Sequence, residues 1–133
     1  MKNIRYLSLT GILFLVGTAD LAAQRLAVPE YVSCDRNKLT SWQGEVTKLA
    51  RVGDGIELWI ATDYGTNETL KLSMSSWKKL LGQFRLRGKV FQSNDWIKLV
   101  DPKIGFRPKV YAVIWLCEVE GHPPVINWQP PYD

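Results

Sequence analysis

Cys34 and Cys117 are the only cysteines in the 133 residues, and both follow an N-terminal stretch with the marks of an export signal. No other feature constrains the fold as tightly. In an oxidising compartment the two thiols are expected to join, tying the N-terminal lead to a strand late in the chain. The bond would close about 80 residues, and loop entropy then constrains the unfolded state by about 4–5 kcal/mol. A redox-active pair is not indicated, because that chemistry wants Cys-x-x-Cys spacing and an electropositive helix start.

Lys2 and Arg5 provide a positive n-region, and Tyr6 to Val16 an apolar run broken only by Ser8, Thr10 and Gly11. The run is too short to span a bilayer, and Asp20 ends it before spanning length is reached. Cleavage is expected after Ala23, where Leu21-Ala22-Ala23 approximates the small-x-small pattern, with Gly17-Thr18-Ala19 as the fallback. The reading is a secretory signal peptide over residues 1–23 and a single disulfide-linked β domain over 24–133, periplasmic or secreted, with no stable membrane span after cleavage. The exported part retains 15 basic and 12 acidic side chains, a net charge of +3 on 110 residues. This mild excess gives a weak bias toward anionic partners without choosing one.

Period-2 alternation dominates the mature chain. Ile56, Leu58, Ile60 and Thr62 oppose Glu57, Trp59, Ala61 and Asp63, the pattern of a half-buried strand. Gly44 to Val52 forms the strand before it, through a Gly53-Asp54-Gly55 hairpin turn, and Thr69 to Met74 the strand after it, with Leu70, Leu72 and Met74 inward. Trp77, Leu80, Leu81 and Phe84 then fall at i, i+3, i+4 and i+7 behind Ser75 or Ser76 as N-cap, which predicts one short helix. A second hairpin is expected from Arg85 to Val100, followed by a loop from Asp101 to Pro108. Lys109 to Val119 is apolar on both sides and reads as a central strand, Gly121-His122-Pro123-Pro124 as a turn, and Val125 to Trp128 as the last strand.

Three meandering strands, a helix and further strands follow the order of an oligonucleotide/oligosaccharide-binding (OB) barrel. The expected fold is thus mainly β with one short helix, an OB-like small β-barrel. The alternative is an open antiparallel sheet or sandwich packed with one helix.

Catalytic signatures are sparse. His122 is the sole histidine and sits in a Gly-His-Pro-Pro turn, which leaves no partner for a His-based metal site or nucleophile triad. Asp54, Glu57, Asp63 and Glu68 cluster around the second and third strands. Six residues of strand hold Glu57 and Asp63 about 20 Å apart, too far for a glycosidase pair. No Gly-rich loop precedes a helix to hold phosphate, and no metal or other cofactor is expected. Asn67-Glu68-Thr69 matches the N-glycosylation sequon.

Two stretches carry binding chemistry. If Leu86, Val90, Ile97 and Leu99 face the core, Arg85, Arg87 and Lys89 stand outward beside Trp96 and Lys98, where cations and an indole could grip an anion and stack on a base or sugar. Trp59, on the polar face of the second strand with Tyr64 near its end, is the other candidate. The leading expectation is a binding module with a protein partner: an inhibitor, an immunity-type protein or an accessory subunit of an envelope or secreted assembly. A polyanion, nucleic-acid or glycan binder using the basic hairpin comes second, and a carboxylate-dependent hydrolase last.

Overall fold

Strand β2 (Gly55–Thr62) buries one face for the reason its alternation predicts: Ile56, Leu58, Ile60 and Thr62 are buried, while Glu57, Trp59 and Ala61 stand half-buried on the opposite face. The computed structural model describes residues 27–131; the expected signal segment, residues 1–23, lies outside them. Residues 32–131 belong to one compact unit, described below.

Strand β1 (Leu39–Val52) begins five residues before the expected Gly44 and runs for 14 residues. Its second half pairs antiparallel with β2, from Gly44↔Thr62 to Val52↔Gly55, across the tight Gly53-Asp54 turn, where Gly53 adopts φ +62°. Its first half pairs antiparallel with β8 (Val110–Cys117), from Leu39↔Cys117 to Val46↔Val110. Gly44 is paired on both sides, and a Cβ there would lie 2.0 Å from the Ala61 carbonyl oxygen. Only a residue without a side chain permits that approach. Just beyond, the register with β2 slips by one at Thr47. This bulge re-phases the strand, so that Val46 and Leu49, three apart, both reach the core.

Strand β3 (Asn67–Ser73) completes the meander, with Leu70 and Leu72 buried as expected. Helix α1 (Trp77–Leu81) follows, its N-cap Ser76 Oγ accepting from the Lys79 amide at 3.1 Å. The helix stops short of Phe84, which instead opens strand β4 (Phe84–Leu86) and buries its ring edge-on against Trp128 and Phe91 at 5.5 and 5.1 Å. Strand β4 pairs in parallel with the last strand, β9 (Val125–Gln129), and this non-local pairing overrides the helical spacing of Phe84.

The expected hairpin from Arg85 to Val100 is corrected. Strand β4 turns at once through Arg87-Gly88, both at positive φ (49° and 82°), into the two-residue strand β5 (Lys89–Val90). Ser93–Lys98 coils into a 3-10 helix, taking up most of the expected Gln92–Asp95 turn and the start of the return strand expected over Trp96–Val100. The cause is Asp95: its buried carboxylate accepts from the Gln92 amide at 2.8 Å while its own amide donates to the Gln92 carbonyl, closing a 3-10 turn that a strand could not make. Consequently Val90 and Ile97, expected in the core, are exposed, whereas Leu99 is buried and Leu86 packs half-buried against the core as predicted. The expected loop after it holds a small two-stranded sheet of β6 (Val100–Asp101) and β7 (Gly105–Phe106).

The main sheet has seven strands in the order β3-β2-β1-β8-β9-β4-β5. It is mixed rather than antiparallel throughout, because of the β4–β9 pair. Strand β8 lies inside it with neighbours on both edges, as its two apolar faces predict. One core runs beneath the sheet, including Leu58, Ile60, Leu80, Phe84, Ile114 and Trp128. The Cys34–Cys117 disulfide is formed, with 6.0 Å between its Cα atoms. Beside it the Glu118 amide donates to the Lys38 carbonyl, so the N-terminal lead is secured to the end of β8 by both a covalent and a hydrogen bond.

Two measurements check this account. Replacing Cys34 and Cys117 together by Ser is expected to lower unfolding free energy by about 4–5 kcal/mol, read from the urea midpoint. Gly44→Ala is expected to cost at least ~3 kcal/mol, because the clash is with backbone that two strands hold in place; a change below about 1 kcal/mol would show that β1 is not pinned there.

Candidate functional site

The outer face of the β1-β2-β3 meander is assembled by register. Lys48, Trp59 and Thr69 form one cross-strand row, and Ala50, Glu57 and Lys71 form the next. On the other side of Trp59, the row Tyr111, Glu45, Ala61 and Asn67 runs across four strands. Trp59 is half-buried, and the Lys48 ammonium sits over its indole at 4.6 Å. The bulge at Thr47 puts Lys48 there, since an unbroken alternation would turn Lys48 inward. Thr47 Oγ1 donates to the Trp59 carbonyl at 3.3 Å, which fixes the bulge to β2. Glu57 and Lys71 lie 3.8 Å apart at the surface and contribute little to stability.

The β2–β3 turn holds Tyr64 out from this face, 79% exposed. The turn itself is stiff. Thr62 and Thr66 share a 2.6 Å hydroxyl contact, the Thr66 amide donates to Thr62 Oγ1 at 3.1 Å, and the Asp63 amide donates to the Gln43 carbonyl at 2.8 Å. Tyr111, 45% exposed on β8, donates its hydroxyl to Asp63 Oδ1 at 3.2 Å. That hydrogen bond, reinforced by the charge of Asp63, holds the phenol above its ordinary pKa. Trp59 and Tyr111 thus share one sheet face, with an ammonium over Trp59 and Tyr64 on the turn that follows β2.

The basic hairpin is built differently from the sequence expectation. Arg85 Nη1 donates to the carbonyls of Gly82 and Phe84, and Arg87 Nη2 donates to that of Pro130, so both guanidinium groups brace the backbone. Lys98 pairs with Asp95 at 3.3 Å. Trp96 is half-buried and meets Trp77 edge-on at 5.0 Å, and the Arg51 guanidinium lies over the Trp77 ring at 3.8 Å. Lys89 alone of the five is without a contact that the described residues supply, and it stands exposed on β5. Arg85, Arg87, Lys89, Trp96 and Lys98 therefore do not form the outward row that a continuous hairpin would have made.

Among the described residues no cluster of three His, Cys, Asp or Glu could hold a metal ion, and no cysteine is free. His122 is exposed in its turn. A shallow depression of about 150 Å³ lies where β2 and β3 meet the first turn, lined by Val52, Gly55, Glu57, Lys71 and Ser73 among others. It is open, and the only charged groups at its rim are the Glu57 and Lys71 that face each other. Comparison with protein families, curated proteins and solved structures finds no match to this chain.

Lys48 and Tyr111 are the members of this face that residue patterns missed. The bulge hides the first, and the second lies on a strand that pairs with β1 across more than 60 residues of sequence. The Tyr111–Asp63 contact carries a direct check. Asp63→Asn is expected to return the Tyr111 phenol toward its ordinary pKa, followed by NMR of the ring across alkaline pH. Because the folded phenol titrates higher than the unfolded one, its contribution to stability is present below the unfolded pKa and lost as pH rises through the folded value. The substitution should remove that alkaline loss.

Proposed function

We propose that this chain is an exported OB-like module that acts by binding a protein partner, not by catalysis. It would serve as an inhibitor, an immunity-type protein or an accessory subunit of an envelope or secreted assembly. The observation that carries the reading is the Trp59, Tyr64 and Tyr111 cluster on a stiff sheet face. Aromatic side chains held in place lose little entropy on binding and bring a large apolar area with a polar edge, the chemistry of interface anchors.

Support for the OB-like architecture comes from topology. A long, bent first strand pairs with β2 by one half and with β8 by the other, the helix follows the meander, and the last strand lies beside β8. In an OB barrel the outer face of the meander is a ligand-binding surface, and Trp59 stands on the corresponding face here. Export is supported by the disulfide, which an oxidising compartment would form and keep. No helix among the described residues is long and apolar enough to cross a membrane.

The polyanion reading draws less support, because four of the five residues it relies on are engaged in the contacts given above. The two readings separate by experiment. Affinity capture from the native envelope or culture fluid, followed by mass spectrometry, supplies the partner. Trp59→Ala should then weaken its binding by about tenfold or more. Binding should change little between low and moderate salt and survive replacement of Arg85, Arg87 and Lys89 by Ser. Undiminished binding by Trp59→Ala overturns the proposal, and a steep salt dependence lost with the three basic residues would establish the polyanion reading instead.

A further inference from the structure

Charge is distributed unevenly along this chain. Residues 85–109 carry seven basic and two acidic side chains, a net +5, whereas the other 108 residues carry ten basic and eleven acidic. Both acids of the segment are engaged with cations: Asp95 with Lys98 at 3.3 Å and Asp101 with Arg107 at 3.5 Å. The same segment holds three aliphatic side chains displayed to solvent, Val90, Ile97 and Ile104.

Ile104 is held out by a stiff device. It sits at the tip of the β6–β7 hairpin, where Asp101 Oδ1 accepts from the amides of both Lys103 and Ile104 at 2.6 and 3.1 Å. Those two amides, with a smaller contribution from Arg107, hold the Asp101 carboxyl below its ordinary pKa. Arg107 joins this tip to the 3-10 helix: its Nε donates to the Ile97 carbonyl at 2.9 Å and its amide to the Leu99 carbonyl at 2.9 Å. Ile97 and Ile104, 54% and 70% exposed, thus project from one cross-braced lobe beside Lys103.

We propose that this lobe seats on an anionic lipid surface, with Ile97 and Ile104 entering the headgroup layer while the net positive charge of the segment draws it to the leaflet. Two exposed aliphatic tips on a segment of net positive charge fit that partner. Shallow burial of two branched side chains adds an apolar contribution that a phosphate chain cannot supply, and a net positive segment is drawn to a negative leaflet. A nucleic acid would ask for an exposed ring to stack on, whereas Trp96, the ring in this segment, packs against Trp77. The lobe is separate from the Trp59 face, so the two proposals stand independently.

The test is vesicle co-sedimentation with the purified disulfide-bonded protein as export leaves it, using phosphatidylcholine vesicles and equimolar phosphatidylglycerol–phosphatidylcholine vesicles. The wild type is expected to partition about tenfold or more in favour of the anionic vesicles. The double variant Ile97→Asp, Ile104→Asp should lose that preference by a similar factor; both side chains are exposed, so its melting temperature should match the wild type. Trp59→Ala should bind vesicles as the wild type does. Equal partitioning of the wild type to the two vesicle types would overturn the proposal. So would undiminished binding by the double variant, loss of binding in Trp59→Ala, or capture of a heparin fragment without capture of vesicles.

Discussion

Everything in this fold depends on the two-sided pairing of β1. One strand supplies hydrogen-bond partners to β2 along its second half and to β8 along its first, and the two ladders overlap at Gly44, Glu45 and Val46. The overlap couples the N-terminal meander to the C-terminal strands. Without it the chain would hold two small sheets, each too thin to bury an apolar face. The coupling is possible because the backbone at Gly44 carries no Cβ, and it is reinforced where Cys34 meets Cys117 at the far end of the same β1–β8 ladder.

The outer face of the meander is a by-product of an irregularity in that strand. A bulge resets the phase of the strand that carries it, and the extra residue at Thr47 makes that recovery here. The recovery places Lys48 over Trp59 and leaves Val46 and Leu49 both in the core. Packing and presentation therefore come from one local irregularity, in keeping with the tendency of bulges to re-aim side chains near functional positions. The Tyr111–Asp63 hydrogen bond joins β8 to the β2–β3 turn, so that the aromatic cluster draws on both halves of the molecule.

Much of this was legible from residue patterns, for identifiable reasons. The meander, the helix start at Ser76, the doubly apolar β8 and the disulfide each announce themselves locally, through alternation, a capping residue, an unbroken apolar run or a unique pair. What was not legible lies where long-range contacts outweigh local spacing. Phe84 has helical spacing from Trp77, yet a parallel strand more than 40 residues away claims it. Trp96 to Val100 alternates like a strand, yet one buried carboxylate, Asp95, coils the stretch before it can extend. The first five residues of β1 are polar or half-buried and give no alternation to read, since their order comes from β8. Of the aromatic side chains, Trp59 was visible on the polar face of the second strand, with Tyr64 near its end. Lys48 was concealed by the bulge and Tyr111 by sequence distance.

The position of β9 has a temporal consequence. The last strand lies between β8 and β4, so the sheet cannot be assembled in the order in which the chain is made: a slot must be left beside β8 until residues 125–129 arrive to fill it. Cys34 likewise waits for a partner that emerges more than 80 residues later. A polypeptide so wired can close its meander early, yet it completes its sheet only when its last strand is in place.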